Sequence, residues 1–150
     1  MTEIQSMIGL EQIKKLDFYI KKRNQNANYL TEHLSKFQSI ITPINIPNYQ
    51  HSFYRYVIRL DFSHIRKQYN QQRILDFLNK NKVFANVGGC PAIYKEKYFK
   101  NNKILPRFKL INTEQLTKTS ISFQIDHTIT KKNLTKMLKK IIKVFKVISK

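Results

Sequence analysis

The sequence predicts a small α+β domain in which helices cover a three- or four-stranded, largely antiparallel sheet. Three observations carry the prediction. Apolar residues recur at helical spacing near both ends of the chain, short runs rich in β-branched and aromatic residues lie between them, and no internal repeat or low-complexity block breaks the order helix, strand, helix, strand, strand, helix. The 150 residues suit one domain or one substantial piece of a larger one, and 41% hydrophobic content with ten Phe suffices for a core.

The first element is a long helix. Thr2 is placed to accept from the backbone N–H three residues on while Gln5 reaches back, a capping box. From Ile13 the positions Leu16, Ile20, Ala27, Leu30, Leu34 and Phe37 step by three and four, with Arg23 as the interruption, so one apolar face runs to about Ser35. Ile4, Met7 and Ile8 form a second apolar cluster, read as a packing surface. Pro43 and Pro47 then mark an extended connection. His51 to Phe62 reads as a strand, Gln71 to Asn79 as a short helix with Ile74, Leu75 and Leu78 on one face, and Val83 to Val87 as a second strand ended by Gly88 and Gly89. Residues 91–118 are mixed, with a short helix around Tyr94 to Phe99 and a turn at Pro106. Ser120 to Ile125 alternates as a third strand. Thr130 caps a final helix that buries Leu134, Met137, Leu138, Ile141, Ile142 and Phe145.

The charge is extreme: 28 Lys+Arg against nine Asp+Glu leave +19. Twenty-two of the cations are Lys, however, and Arg is the residue that forks onto phosphates and guanines, so base reading is poorly supported. Lys, Ile and Asn supply 55 of the 150 residues, all with A/T-rich codons, so nucleotide composition accounts for much of the excess without a ligand. Eight lysines and no acid lie between Lys131 and Lys150, opposite the apolar face. Such a helix can lie on an anionic membrane or bind an acidic partner, or it can cover the sheet while its lysines are solvated; the second reading is favoured.

Little else points to chemistry. No run of 18 apolar residues predicts a membrane span, and no basic, then apolar leader predicts secretion, so a cytoplasmic location is expected. One cysteine, Cys90, excludes a disulfide framework, and the four histidines show no metal-ligand spacing. Phosphate-binding glycine loops, a nucleophile elbow and close carboxylate pairs are all missing.

One resemblance reaches further. The stretch Met1-Thr2-Glu3-Ile4-Gln5 to Gly9, with Gln12, Leu16 and Asp17, closely resembles a signature helix of the DegT/DnrJ/EryC1/StrS aminotransferases, with Lys21-Lys22-Arg23-Asn24 and Tyr29-Leu30 in its continuation. His51-Ser52-Phe53-Tyr54-Arg55-Tyr56-Val57-Ile58-Arg59 is similar to a family strand, Pro91 to Phe99 to a later segment, and Thr119 to Phe123 with Thr128-Ile129-Thr130 to the closing strand and helix cap. There are departures too: Ile93 stands where many members place a histidine, and Asp126-His127 replaces a His-Pro pair.

The resemblance implies the C-terminal domain of a fold-type I aminotransferase that uses pyridoxal phosphate to aminate keto-sugar nucleotides in cell-surface polysaccharide or amino-sugar biosynthesis. Residues 1–38 would be the long linking helix and 39–150 the small domain, with the cofactor-binding large domain absent. Pyridoxal phosphate then belongs to the complete enzyme and none is expected for this chain alone, so no catalytic, cofactor or metal residue is assigned. Gly89, Cys90 and Tyr94, on the loop that borders the site in relatives, are the candidate substrate contacts. The implied partner is an N-terminal cofactor-binding half or a second copy in a homodimer, with a sugar nucleotide bound only by the complete enzyme. Nucleic acid and membrane are disfavoured. Two other readings stay open, a basic interaction module and an inactive gene remnant.

Overall fold

The capping box forms as its residues imply. In the computed structural model, which describes residues 1–89 and 92–150, the Gln5 N–H donates to Thr2 Oγ1 at 3.4 Å and the Thr2 N–H to Gln5 Oε1 at 3.0 Å. It opens α1 (Glu3–Lys14), which passes through Lys15 into α2 (Leu16–Leu34). The single helix read from the sequence is therefore two. At the junction the Lys15 N–H donates to Gln12 O, a tight i→i−3 bond in place of the α-helical one. The apolar stripe is also buried only in part: Ala27, Leu30 and Leu34 are fully covered, while Ile13 and Leu16 stay exposed.

Four strands form one antiparallel sheet in the order β1-β2-β4-β3: β1 (Ile40–Ile41), β2 (Tyr56–Leu60), β3 (Ala85–Val87) and β4 (Ser120–Phe123). Each of the three strands read from sequence is shorter than its apolar run. His51 to Arg55 is a loop because Phe53 takes a left-handed φ of 44° that breaks the extended path. β1, and α5 (Ile111–Thr119), were not anticipated. A two-residue strand carries no periodicity, and α5 begins at Leu110 without a side-chain cap. The region around Tyr94 to Phe99 is a 3-10 turn, Ile93–Lys95, followed by α4 (Lys97–Asn101).

Strand alternation gives the sheet two unlike faces. Tyr56, Ile58 and Leu60 of β2, with Ile121 and Phe123 of β4, point into the core, where α2, α3 (Gln71–Lys80) and α6 (Lys131–Ile148) cover them. Asn70 caps α3 by accepting from the Arg73 N–H at 2.9 Å, and Thr130 caps α6 through Asn133. The inner face of α6 is Leu134, Leu138, Ile141, Val144, Phe145 and Ile148, all buried, with Met137 and Ile142 packed alongside. That apolar face is occupied by the core, so it is not available to a membrane surface. Edge strand β3 is clamped to α3 by Asn79, whose side chain donates to Ala85 O at 3.0 Å and accepts from the Ala85 N–H at 3.2 Å.

Candidate functional site

The other face of the sheet is polar and only partly covered. Register places Val57 opposite Ser122 and Ser122 opposite Asn86, while Arg59 lies opposite Ser120. Alternation thus puts Arg59, Ser120, Ser122 and Asn86 on one side, with α5 laid over part of it. Gln71 fixes that helix end by donating to both Thr117 O and Ser120 O, at 3.0 and 2.7 Å.

Three pockets adjoin across this face. One of about 170 Å³ is lined by residues that include Arg23, Tyr54, Arg55, Asn86, Ser122, Gln124 and Asp126. The second, about 300 Å³, shares Arg55 with it and adds His51, Phe53, Val57, Arg59, Leu116 and Ser120 among its walls. The third, about 330 Å³, shares Val57, Leu116 and Ser120 with the second and continues to Gly88, Gly89, Thr113 and Thr117. Gly88 is required by space: a Cβ there would fall 2.3 Å from Ser120 Cβ and 2.9 Å from Val57 Cγ1. At Gly89 a Cβ meets nothing within 4 Å.

Arg23, Arg55 and Arg59, with Asn86, Ser122 and Gln124, give this face a polar lining with positive charge. The Arg55 guanidinium lies 5.9 Å from the Tyr54 ring centre. His51 buttresses the loop before β2: its Nδ1 accepts from the Phe53 N–H at 2.8 Å, its ring stacks on Phe53 at 4.1 Å, and its carbonyl accepts from Asn24 at 2.7 Å. Burial alone raises the Asp126 carboxyl. Hydrogen bonds from the Thr128 hydroxyl and N–H, with His127 nearby, outweigh it and hold the group below the usual carboxylate range. Arg23 Nε and His127 Nδ1 are buried without hydrogen-bond partners among the described residues.

Of the sequence-derived candidates, Gly89 lines the third pocket. Tyr94 meets the same helix, α5, by donating to Glu114 Oε1 at 3.1 Å, and Lys95 pairs with that carboxylate at 3.2 Å. Desolvation, then the Glu114 carboxylate, push the Tyr94 phenol up, while Lys95 and Tyr94 hold Glu114 below its ordinary range. Cys90 lies outside the described residues. Sequence reasoning missed Arg55, Arg59, Asn86, Ser122 and Gln124 as a group. Arg23 was the one available signal, a cation interrupting an apolar stripe. Among the described residues no three His, Cys, Asp or Glu side chains converge as a metal site, and no helix is long and apolar enough to cross a membrane.

The sequence profile of the DegT/DnrJ/EryC1/StrS aminotransferase family matches residues 1–142, and the chain belongs to that family. It is similar to an aminotransferase from Psychrobacter cryohalolentis of known structure, with 26% identity and a TM-score of 0.90 over 99% of this chain and 40% of that one. Helicobacter pylori PseC, an aminotransferase involved in the biosynthesis of pseudoaminic acid, shares the fold at a TM-score of 0.83 and 21% identity, over 99% of this chain and 38% of that one. An uncharacterised Methanocaldococcus jannaschii protein is 26% identical over 61% of this chain and 23% of its own length. The fold is thus that of part of a fold-type I sugar aminotransferase, and the chain spans two fifths or less of the length of these relatives.

Aminotransferases of this family depend on pyridoxal phosphate. Holding it takes a lysine for the Schiff base, an acid on the pyridinium nitrogen and donors for the phosphate. Among the described residues no lysine lines the three pockets of the open face, and the one carboxylate on their walls, Asp126, has Oδ1 committed to Thr128. The residues of this face do not furnish a site for the cofactor.

Proposed function

We propose that this chain is the C-terminal portion of an enzyme that transfers an amino group to a keto-sugar nucleotide, and that it is inactive by itself. Its share of the Psychrobacter enzyme carries the reading: near-complete superposition covers only 40% of that chain, so three fifths of such an enzyme lies outside these 150 residues. Residues 1–38 link to that remainder and 39–150 form the small domain. The partner is an N-terminal cofactor-binding half or a second copy in a homodimer. Gly89, Cys90 and Tyr94 border the sugar nucleotide, and pyridoxal phosphate with its lysine is held by the missing part.

The test is complementation. This chain is co-expressed with the cofactor-binding part of the Psychrobacter aminotransferase, cut before the matching segment, and the pair is assayed for glutamate-dependent amination of a keto-sugar nucleotide. Turnover by the mixture and by neither chain alone is expected. Turnover by this chain alone would overturn the assignment of cofactor chemistry elsewhere. A stable complex without turnover would leave it a remnant. Absorbance of pyridoxal phosphate is not a sufficient readout, because 22 lysines offer many adventitious Schiff bases.

A further inference from the structure

We propose that Arg23 and Arg55 form a binding site for a single oxyanion group, a carboxylate or a phosphoryl, in the pocket between α2, the loop preceding β2 and the end of β4. The inference rests on the pocket's geometry and is independent of the aminotransferase reading.

Charge is the first argument. Both guanidinium residues line a space of about 170 Å³, far above the about 10–15 Å³ that one water needs. Among the described residues Asp126 is the only acid on its walls, so the lining carries two cations against one anion. Asp126 does not neutralise either arginine. Its Oδ1 accepts from the Thr128 N–H at 2.8 Å and hydroxyl at 2.5 Å, and among the described residues no ion pair joins it to Arg23 or Arg55. Among the described residues neither guanidinium has a carboxylate partner, and the lining keeps a net positive charge.

Hydrogen bonding is the second. Arg23 Nε is buried and unpartnered. A buried cationic N–H without an acceptor is costly, and an anionic oxygen in the pocket is the acceptor that best offsets the cost. The side-chain amides of Asn86 and Gln124 line the same space and add neutral donors.

Backbone strain is the third. Phe53 is buried yet held at φ 44°, a conformation bulky residues seldom adopt. It is anchored by His51 on one side and is followed directly by Tyr54 and Arg55, both of which line the pocket. Strain of this kind persists where the surrounding structure fixes a side chain for binding.

Because the protein carries +19, anions will gather on its surface whatever the pocket does, and the experiment must separate the two. Nitrogen-15 NMR follows the Nε–Hε signals of Arg23 and Arg55 and the amides of Asn86 and Gln124. Inorganic phosphate and, separately, acetate are titrated in at constant ionic strength. The expected result is a saturable shift confined to these groups, weakened about tenfold or more in Arg55→Gln and in Arg23→Gln, as loss of a charge-assisted pair implies. The surface control Lys139→Gln/Lys143→Gln leaves it unchanged. Arg55 is exposed, so its variant keeps the test valid if Arg23→Gln fails to fold. Saturation by phosphate alone assigns a phosphoryl group, and saturation by both assigns oxyanions generally. Shifts that spread over the lysine faces without saturating, or that survive Arg55→Gln, would overturn the site.

Discussion

Lys82 and Lys103 both sit in the left-handed region, at φ 57° and 55°, just past the ends of α3 and α4. The surrounding bonds are those of a Schellman cap in each case. Val83 N–H donates to Leu78 O and Lys82 N–H to Asn79 O; Ile104 N–H donates to Phe99 O and Lys103 N–H to Lys100 O. Glycine is the usual residue at that position, and the chain has only three. The left-handed conformation costs an L-residue about 1–2 kcal/mol, partly offset by the extra chain entropy glycine loses on folding. Lys82→Gly is therefore expected to stabilise by about 0.5–1 kcal/mol, read as a higher urea midpoint with an unchanged slope. Tyr56 is a residue-scale case with a pH signature. Burial pushes its phenol up to about 12, with the Thr31 hydroxyl at 2.7 Å opposing the shift. The unfolded phenol ionises near 10, so between those values the unfolded chain binds fewer protons than the folded one and stability falls as pH rises. The contribution is intact below about pH 10 and declines by about 1.4 kcal/mol per pH unit up to about 12. Lysines titrate in the same range, so the comparison is with Tyr56→Phe. That variant should cost about 1 kcal/mol near neutral pH, through the lost bond to Thr31, and approach or overtake the parent in strongly alkaline urea melts. Parallel alkaline curves for the two proteins would show that Tyr56 is not the group responsible.

At the scale of elements, α1 and α2 are joined end to end but held in place by different things. α2 buries Ala27, Leu30 and Leu34, whereas α1 buries nothing and depends on its cap and propensity. A 12-residue helix with only those supports is marginal in water. Amide exchange is expected to be fast for Ile8 to Lys14 and slow for Ala27 to Leu34, and Thr2→Ala should speed the first group without moving the urea midpoint. Equal protection of both helices would mean that α1 is packed against something in solution. This division also marks what could be read from the residues. α3 and α6 were legible because each has a polar cap followed by apolar residues at helical spacing. The break at Lys15 was not, since the apolar stripe runs through it. Nor was α5, which has no cap and is positioned by Gln71, or β1, which exists only because Ile40 and Ile41 pair with Leu60 and Arg59. The open face was half legible. Alternation in Ser120 to Phe123 shows its polarity, but only strand register brings Asn86 and Ser122 together, and only the turn at Phe53 sends Arg55 into the pocket that Arg23 lines.

For the whole molecule the deciding contest is between charge and exposed apolar surface. Ile4, Met7 and Ile8 are 71%, 63% and 58% exposed and share one side of α1; Leu10, three residues after Met7, borders that side, and Ile13 lies on the opposite one, both also exposed. Glu3, Gln5, Ser6, Glu11, Gln12 and Lys14 make half of this helix polar or charged, so what it exposes is an apolar patch centred on Ile4, Met7 and Ile8. In isolation that surface favours self-association, while a net charge of +19 opposes it. Repulsion is long-ranged at low salt, where the screening length is about 30 Å at 0.01 M, and falls to about 8 Å at 0.15 M. Apolar contact is short-ranged and survives screening. The 150-residue chain should therefore sediment as a monomer in dilute buffer and shift to dimers or larger species as salt is raised. Ile4→Glu/Ile8→Glu should remain monomeric at both, with α2 and the sheet unaffected because neither residue touches the core. Association through the lysines would run the other way, being strongest with a polyanion at low salt and dissolving as salt rises. Sedimentation velocity at two salt concentrations separates the cases: a parent chain that stays monomeric throughout would mean that the apolar face of α1 is satisfied within the chain itself.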